Sequence, residues 1–343
     1  MTQLTHAPQL LNRLLARQDL DREQMLALMH AIMSGDMPHT QIAAFLVALR
    51  CKGETVTELA AAAEVMRALS TKVPLPALPH LVDTCGTGGD GVHTFNISTA
   101  SAFVAAAAGA QVAKHGGRSV SSTSGSADVL EALGVNVNLD PQQVAECVQQ
   151  IGIGFMFAPN HHSAMTHAAP VRRELGVRTL FNLLGPMTNP ANAPNQVMGV
   201  FSRELTGKLA HVLHALGSQH VMVVHAQDGM DELSLSGTSY IAELHHGIVS
   251  EYEITPEQFG LTRADNACLT VDSADTATTM LIDALTYRHR AASEIVALNA
   301  GAAIYVAGIA ASLAEGISLA LQQIQSGAAQ RKLDQLISYS QHA

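Results

Sequence analysis

The apolar positions of the first seventy residues recur at intervals of three and four, which is the spacing of amphipathic helices. Leucines share one helical face between residues 10 and 15, and the same spacing predicts further helices over residues 25–32, 38–49 and 55–69. Short helices with a single apolar face must bury that face against one another. The pattern therefore predicts a small helical domain, followed by a proline-containing linker at residues 73–76.

Beyond this linker, short apolar runs alternate with helical patterns. Predicted strands cover residues 81–82, 111–113, 135–137, 196–201, 220–225 and 240–244. Predicted helices cover residues 100–110, 128–133, 141–151, 172–180, 204–216 and the amphipathic region 291–337, with a loop over residues 182–194. Alternation of strands and helices is typical of an α/β domain whose central sheet carries helices on its faces.

The composition agrees with a closely packed α/β enzyme and argues against two other classes of protein. At 343 residues, 48% hydrophobic and 14% charged, the chain is long enough for two domains. A formal net charge of −10 argues against broad electrostatic binding to nucleic acid. The four cysteines show neither metal nor disulfide spacing, and neither a membrane-spanning run nor a signal-peptide pattern is found. We therefore expect a cytoplasmic protein without a membrane partner.

A cluster of four glycines within six residues, Gly86, Gly88, Gly89 and Gly91, follows the first predicted strand. Glycines allow backbone N–H groups to approach an anion closely, and the helix start behind them adds favourable partial positive charge. The spacing matches neither the P-loop nor the dinucleotide-binding pattern. The stretch is therefore interpreted as a phosphate or pyrophosphate cradle, with a tight structural turn as the alternative.

Two further segments could complete an anion site. Lys114 and Arg118 flank two glycines after the second predicted strand, and the hydroxyl-rich residues 119–126 follow. Asp231 and Glu232 follow a buried strand, at the edge where open α/β sheets bind ligands. Adjacent acids are common on exposed loops, but beside a pyrophosphate they would suit Mg²⁺.

Arg172 could clamp a substrate carboxylate, although its pattern alone favours a surface ion pair. The nearby histidines at positions 161, 162 and 167 have no fixed metal-ligand spacing. No nucleophile–base pair stands out, and burial is the simpler interpretation of Cys85 beside the glycine cluster.

Together these motifs closely resemble the anthranilate phosphoribosyltransferases of tryptophan biosynthesis. The shared segments, in order along essentially the whole chain, are GTGGDG at 86–91, FNIST at 95–99, KHG at 114–116, SGSAD at 124–128, RTLFNLLGP at 178–186 and GMDE at 229–232. The resemblance implies a helical dimerisation domain over residues 1–73, joined by helices around residues 165–185. It also implies a catalytic α/β domain over residues 77–343, with a central, mostly parallel sheet like that of the nucleoside phosphorylases. The proline-containing linker at residues 73–76 is interpreted as a hinge between the two domains.

The same resemblance implies an enzyme that transfers phosphoribose from phosphoribosyl pyrophosphate to the amino group of anthranilate, with two Mg²⁺ ions per monomer of a homodimer. No catalytic residue is assigned, because positioning and electrostatics would carry the reaction. Phosphoribosyl pyrophosphate would contact Gly86, Gly89, Asp90, Thr94, Asn96, Ile97, Ser98, Thr99, Lys114, His115, Gly116, Gly117, Arg118, Ser119, Val120, Ser121, Ser122 and Ser126. Anthranilate would contact Gly86, Gly117 and Arg172. Ser98 with Glu232 would hold one Mg²⁺, and Asp231 with Glu232 the other.

Two positions depart from the family pattern. Gly117 replaces an asparagine that would hydrogen-bond anthranilate, and Thr123 replaces a usual lysine. Loss of one amide contact would weaken anthranilate binding by about 1–2 kcal/mol. Two alternatives stay open at this point: a pyrimidine nucleoside phosphorylase-like enzyme and a non-catalytic relative that binds nucleic acid. The second requires a basic surface and erosion of the acid pair, neither of which the sequence shows.

Overall fold

The computed structural model describes residues 7–118 and 124–342. The chain divides into two compact units. The helical unit comprises Met1–Thr71 and Pro159–Pro190, and the α/β unit comprises Lys72–Ala158 and Ala191–Ala343. The predicted combination of a small helical domain with a larger α/β domain is confirmed. Throughout the described ranges, every helix is too short or too polar to cross a lipid bilayer.

The helical unit is built from short helices whose apolar faces are buried. Its helices are α1 (Ala7–Leu15), α2 (Arg22–Met33), α3 (His39–Lys52), α4 (Val56–Leu69), α8 (Ala158–His161, which starts one residue before the unit), α9 (Ala169–Leu175) and α10 (Leu180–Leu184), with 3-10 turns at Ser163–His167 and Gly185–Met187. The prediction of one helix over residues 172–180 is wrong. Gly176 adopts the left-handed conformation (φ 62°) that ends α9, and α10 then occupies part of the predicted loop.

A buried ion pair fixes the ends of the first helices. The Glu58 carboxylate is fully buried and accepts hydrogen bonds from the Lys52 ammonium at 2.9 Å and the Leu20 N–H at 2.9 Å. Glu58 also closes a capping box with Thr55 at the start of α4. One side chain thus satisfies donors from three different segments, and these bonds offset the cost of burying its charge.

The α/β unit contains a seven-stranded sheet with the strand order β3-β2-β1-β4-β5-β6-β7. Its strands are β1 (Leu81–Thr84), β2 (Gln111–Gly116), β3 (Ile153–Phe157), β4 (Asn195–Gly199), β5 (His220–Ala226), β6 (Ser239–His245) and β7 (Ile248–Ile254). The first five pair in parallel, while β6 and β7 pair antiparallel. All four residues of β1 are buried, as expected for a parallel strand covered on both faces.

Helices cover the faces of this sheet. They are α5 (Ile97–Ala107), α6 (Ser126–Ala132), α7 (Pro141–Ile151), α11 (Leu205–Ala215), α12 (Ala274–Leu285), α13 (Arg290–Val306), α14 (Leu313–Gln325) and α15 (Ala328–His342), with 3-10 turns at Pro256–Phe259 and Asn266–Cys268. α13 is nearly all buried and packs against α5, β1, β4 and β5. It therefore forms the central support beneath the sheet.

The strand predicted at residues 135–137 is wrong, and β7 and α12 were not predicted. Asn136 accepts the N–H of Asn138 through its side chain, which makes a local turn in place of a strand. β7 is an edge strand with a mostly exposed surface, so it lacks the apolar alternation that marks a covered strand. The two left-handed residues His246 and Gly247 (φ 50° and 76°) form the hairpin turn that leads into it.

The chain order creates a switch point between β1 and β4. From β1 the chain proceeds outward through β2 and β3, and it then returns to place β4 on the other side of β1. At such a point the loops after neighbouring strands diverge and leave a crevice at the carboxyl edge of the sheet. The glycine cluster and the acid pair both follow strands at this edge.

Candidate active site at the carboxyl edge of the sheet

The glycine cluster folds against the end of β4 at the switch point. The Thr87 N–H donates to the Gly199 carbonyl at 2.9 Å, which fixes the first turn of the loop. Gly88, Gly89 and Gly91 have φ values of 64°, 75° and 78°, a region that residues with side chains rarely adopt. The glycines are therefore required by the path of the backbone.

Asp231 lies directly over this loop. Its Oδ2 accepts the Gly88 N–H at 2.8 Å, and a Cβ added at Gly86 would lie 2.7 Å from the same oxygen. A Cβ at Gly199 would lie only 1.5 Å from the Asp231 carbonyl oxygen. Gly86 in the loop after β1 and Gly199 at the end of β4 thus make room for one acid, which explains why the loop after β5 can reach the loop after β1.

Three carboxylates, those of Asp90, Asp231 and Glu232, are concentrated at this point. The Asp231 N–H donates to Asp90 Oδ2 at 3.4 Å. Burial and then the Asp90 charge raise the pKa of Asp231 to about 7, and burial and then Asp231 raise the pKa of Glu232 well above its usual value. The Lys114 ammonium opposes the second shift. The charged forms of these clustered carboxylates are unfavourable without a cation. Such a cluster therefore suits a divalent cation that prefers oxygen ligands, such as Mg²⁺.

The start of α5 forms a second wall. The Ser98 backbone N–H hydrogen-bonds the Glu232 carboxylate, and Ser98 Oγ accepts from Lys114 Nζ at 3.3 Å. Asn96, the residue before α5, does not cap the helix with its side chain. Instead its amide exchanges hydrogen bonds of 3.1 Å with the Ser124 carbonyl and hydroxyl. Ser98, Lys114 and Glu232 are therefore in one contact network, as the predicted metal site requires.

Lys114 lies in a strand, which corrects the prediction that it belongs to the glycine-rich loop after that strand. β2 continues three residues beyond the predicted end and holds Lys114 at 3% exposure. The ammonium also donates to the Thr84 carbonyl. A buried ammonium on a rigid strand is a stronger electrostatic element than a solvated one, because no water screens it.

The segment after Lys114 is packed tightly at first and then opens. The His115 N–H donates to the buried Asp83 at 3.1 Å, and a Cβ at Gly116 would lie 3.2 Å from Ser126 Cβ. Ser126 Oγ in turn accepts from the Thr99 hydroxyl at 3.0 Å. Within residues 7–118 and 124–342, a Cβ at Gly117 would come within 4.0 Å of the Ala158 Cβ alone.

Arg118 is engaged by acids of its own unit. Its guanidinium contacts Asp128 at 2.9 Å and Glu131 at 2.5 and 2.9 Å, and lies over the Phe157 ring. Its phosphoribosyl pyrophosphate contact stays a prediction, and it would have to be made in competition with these carboxylates. Ser119, Val120, Ser121 and Ser122, together with the departure at Thr123, lie outside the described residues.

A segment that the sequence did not indicate closes the other side of the glycine cluster. Thr94 pairs with Thr270 in an isolated antiparallel bridge, and the Phe95 N–H donates to the Leu269 carbonyl at 3.0 Å. The Ile97 side chain is buried, so only its backbone can face a ligand. Neither Leu269 nor Thr270 carries a recognisable functional motif, and only the fold reveals their proximity.

Arg172 belongs to the helical unit. Its guanidinium lies 5.4 Å from the centre of the Phe181 ring, and burial lowers its pKa. The surface ion pair that its pattern alone favoured is not among the described contacts of this arginine. Nearby His161 hydrogen-bonds the Thr71 carbonyl through Nδ1 at 2.8 Å.

A histidine cluster at the opposite edge of the sheet was also not predicted. His220, Glu243 and His245 offer ligand atoms within 4.8 Å of one another. Glu243, however, accepts from His220 at 2.8 Å and from the Tyr252 hydroxyl at 2.7 Å. The rings of His220 and His245 stack in parallel at 3.9 Å, so their in-plane lone pairs do not converge on one point. The cluster is a hydrogen-bonded brace between β5 and β6.

Comparison with known proteins decides the family. The glycosyl transferase family a/b domain matches residues 78–330, and the helical bundle domain of that family matches residues 8–70. The anthranilate phosphoribosyltransferase of Thiobacillus denitrificans is 61% identical over 335 residues, covering 98% of each chain. This chain belongs to the anthranilate phosphoribosyltransferase family.

Solved structures of the family share the fold over nearly the whole chain. The anthranilate phosphoribosyltransferase of Thermus thermophilus is 41% identical, with a TM-score of 0.91 over 96% of this chain and 99% of that one. The Saccharomyces cerevisiae anthranilate phosphoribosyltransferase in complex with PRPP and Mg is 26% identical, with a TM-score of 0.89 over 99% of both. The family predicted from the sequence is thus confirmed.

Proposed function

We propose that the chain transfers the phosphoribosyl group of 5-phosphoribosyl 1-pyrophosphate to the amino group of anthranilate, in the second step of tryptophan synthesis from chorismate. The observation that carries this proposal is the contact of Asp231 with the glycine loop, beside Glu232 and the buried Lys114. Family membership supports the same reaction, whereas the named relatives favour neither the phosphorylase nor the nucleic-acid-binding alternative.

The donor substrate is proposed to occupy the crevice at the carboxyl edge. Backbone N–H groups of the glycine loop, including Gly86 and Gly89, would bind the pyrophosphate, and the start of α5 from Asn96 to Thr99 would add N–H and hydroxyl donors. Lys114 and Ser126 would hold the ribose phosphate side of the molecule. The yeast relative, whose structure contains PRPP and Mg, supports this class of ligand.

Two Mg²⁺ ions per monomer are proposed, one with Ser98 and Glu232 and the other with Asp231 and Glu232. The donor set of two carboxylates and a hydroxyl fits Mg²⁺, which also binds substrate phosphate oxygens and water. When bound, the ions would neutralise the negative charge that develops on departing pyrophosphate.

The acceptor is proposed to contact Gly86, Gly117 and Arg172. Arg172 would pair with the anthranilate carboxylate, since a guanidinium matches that group in a bidentate geometry. The aromatic amine then attacks ribose C1 as the C1–oxygen bond to pyrophosphate breaks. Because the nitrogen loses its extra proton to solvent, the proposed reaction needs no general base. Catalysis is then attributed to the positioning of the substrates and to electrostatic stabilisation.

Loss of anthranilate fluorescence on mixing with phosphoribosyl pyrophosphate and Mg²⁺ tests the proposal. The chain has no tryptophan, so protein emission interferes little with the signal. Substitution of Asp231 or Glu232 by alanine should abolish turnover with a retained circular dichroism spectrum. Asp275→Ala, which removes an exposed acid from the first turn of α12, is the matched control. An unchanged anthranilate signal at saturating substrates would refute the assignment.

A homodimer and a cytoplasmic location complete the proposal. Leu15, Val47 and Val177 of the helical unit are exposed apolar side chains, which a partner subunit would cover. Light scattering after size-exclusion chromatography distinguishes a dimer from the 36.1 kDa monomer. The four cysteines are all free thiols, which agrees with a reducing compartment.

A further inference from the structure

The acid pair lies in irregular backbone and depends on other elements for its position. No described residue from Asp231 to Ser234 belongs to a helix or a strand. Leu233, which follows Glu232 directly, is completely buried, so its peptide groups have no access to water. A buried N–H and C=O must find partners in the protein, or each costs about 1–3 kcal/mol.

Both partners come from a single side chain on α13. Asn299 is 2% exposed. Its Oδ1 accepts the Leu233 N–H at 2.9 Å, and its Nδ2 donates to the Leu233 carbonyl at 2.9 Å. A third bond, from Nδ2 to the Ile295 carbonyl at 2.9 Å, fixes the amide against its own helix. The amide therefore binds both peptide groups of one loop residue, as a neighbouring strand would, while its own position is fixed by the helix.

The same helix also supports the opposite wall of the site. The Ser101 hydroxyl on α5 donates to the Val296 carbonyl of α13 at 3.4 Å, and α5 begins with the turn that contains Ser98. α13 thus holds the helix of the proposed hydroxyl ligand and the loop of the proposed carboxylate ligands. The separation of these ligands is fixed through one element.

We propose that Asn299 is a positioning residue that sets the distance of Glu232 from Ser98 and thereby the affinity for Mg²⁺. The inference rests on the proposed function, because that function assigns these ligands. Mutual repulsion of the acids favours their separation, and the paired bonds to Leu233 oppose that movement. Residues that orient metal ligands in this way commonly change metal affinity by about 10–100-fold when replaced.

The test compares Asn299→Leu, which preserves approximate volume, with Ser293→Ala on the same helix. Ser293 is also fully buried, and its hydroxyl donates to the Ala284 carbonyl at 2.9 Å, away from the acid loop. Both variants lose buried hydrogen bonds and should have a lower Tm. Mg²⁺ is titrated in the presence of pyrophosphate, with the rise in Tm as one readout and the Mg²⁺ dependence of kcat and KM as the other.

For Asn299→Leu the midpoint of both Mg²⁺ titrations should increase about tenfold or more, with a smaller fall of kcat at saturating Mg²⁺. For Ser293→Ala the midpoint should stay at the wild-type value. An unchanged midpoint in Asn299→Leu overturns the inference, since its role would then be only structural. If wild type itself shows no Mg²⁺ response, the proposed function fails instead.

If Asn299→Leu does not fold, hydrogen exchange of the Leu233 backbone amide in the wild-type protein tests the inference instead. The Leu233 N–H should exchange as slowly as the amides of β5, because the Asn299 side chain holds it. Exchange at the rate of an exposed loop amide would overturn the inference without any variant.

Discussion

Replacement of Asp231 by asparagine should stabilise the metal-free protein at pH 8 and not at pH 3. Asparagine keeps an oxygen that can accept the Gly88 N–H, so the substitution removes mainly the charge. The folded-state pKa of about 7 is higher than the value of 3.8 for an unperturbed carboxyl. A group with a raised folded pKa contributes stability at low pH, which is lost as the pH rises from about 4 through about 7. The advantage of the variant should therefore develop across this interval.

The size of the effect follows from the same shift. A difference of three pKa units corresponds to about 4 kcal/mol. Asp231 is partly exposed, and its charge also interacts with that of Glu232, so we expect about 1–3 kcal/mol at pH 8. For a chain of this length that is a rise in Tm of about 1–4 °C. Thermal unfolding followed by circular dichroism, with a chelator present, measures it.

Asp228→Asn is the control with the opposite sign. Asp228 accepts hydrogen bonds from Ser234, Ser236 and Asn266, which outweigh its partial burial and lower its pKa. Loss of this charge should destabilise the protein by about 1 kcal/mol at pH 8, a figure reduced for its exposure. A lower Tm for Asp231→Asn than for wild type at pH 8 would refute the electrostatic argument.

Three further substitutions test separate parts of the structure. Gly199→Ala places a methyl group 1.5 Å from the Asp231 carbonyl oxygen, so the free energy of unfolding should fall by about 3 kcal/mol and Mg²⁺-dependent turnover should be lost. In the control Gly185→Ala, no described atom lies within 4 Å of the new Cβ, so stability should not change. Equal Tm values for the two variants would contradict the close approach at Gly199. Gly117→Asn, whose Cβ would lie an ordinary 4.0 Å from the Ala158 Cβ, should lower the KM for anthranilate up to about tenfold in the fluorescence assay, and an unchanged KM would remove Gly117 from the acceptor site. Glu58→Ala removes the buried acid from Lys52, which keeps only its contact with the exposed Asp19, and takes away the acceptor of the Leu20 N–H. It should destabilise the helical unit by about 3 kcal/mol in urea unfolding, and a loss below about 1 kcal/mol would argue that water enters the site.

The sequence was sufficient to predict the parts of the site that carry local patterns. Glycine spacing indicated the loop at residues 86–91, and the acids after a buried strand indicated Asp231 and Glu232. The prediction that Lys114 lies in a loop was wrong. Glycines after an apolar run usually indicate the end of a strand, whereas β2 continues through Gly116. Pairing with β3 extends the strand, and that pairing is a tertiary property.

Supporting residues could not be predicted for a related reason. Asn299 lies within a helical pattern in which an isolated asparagine normally indicates an exposed face. Its partner Leu233 is 66 residues away, and only the packing of α13 beneath the sheet brings the two together. Likewise β7 carries little apolar signal, since an edge strand has few side chains to bury.

The contact between Gly88 and Asp231 also has a consequence for how the protein folds. It joins residues separated by 143 positions, so the crevice cannot form until β1, β4 and β5 have all assembled. Parallel pairings of this kind are slow, because a long chain segment must be ordered before they form. Substrate and Mg²⁺ should therefore slow unfolding and leave the refolding rate unchanged, since their site is absent until the three strands have assembled.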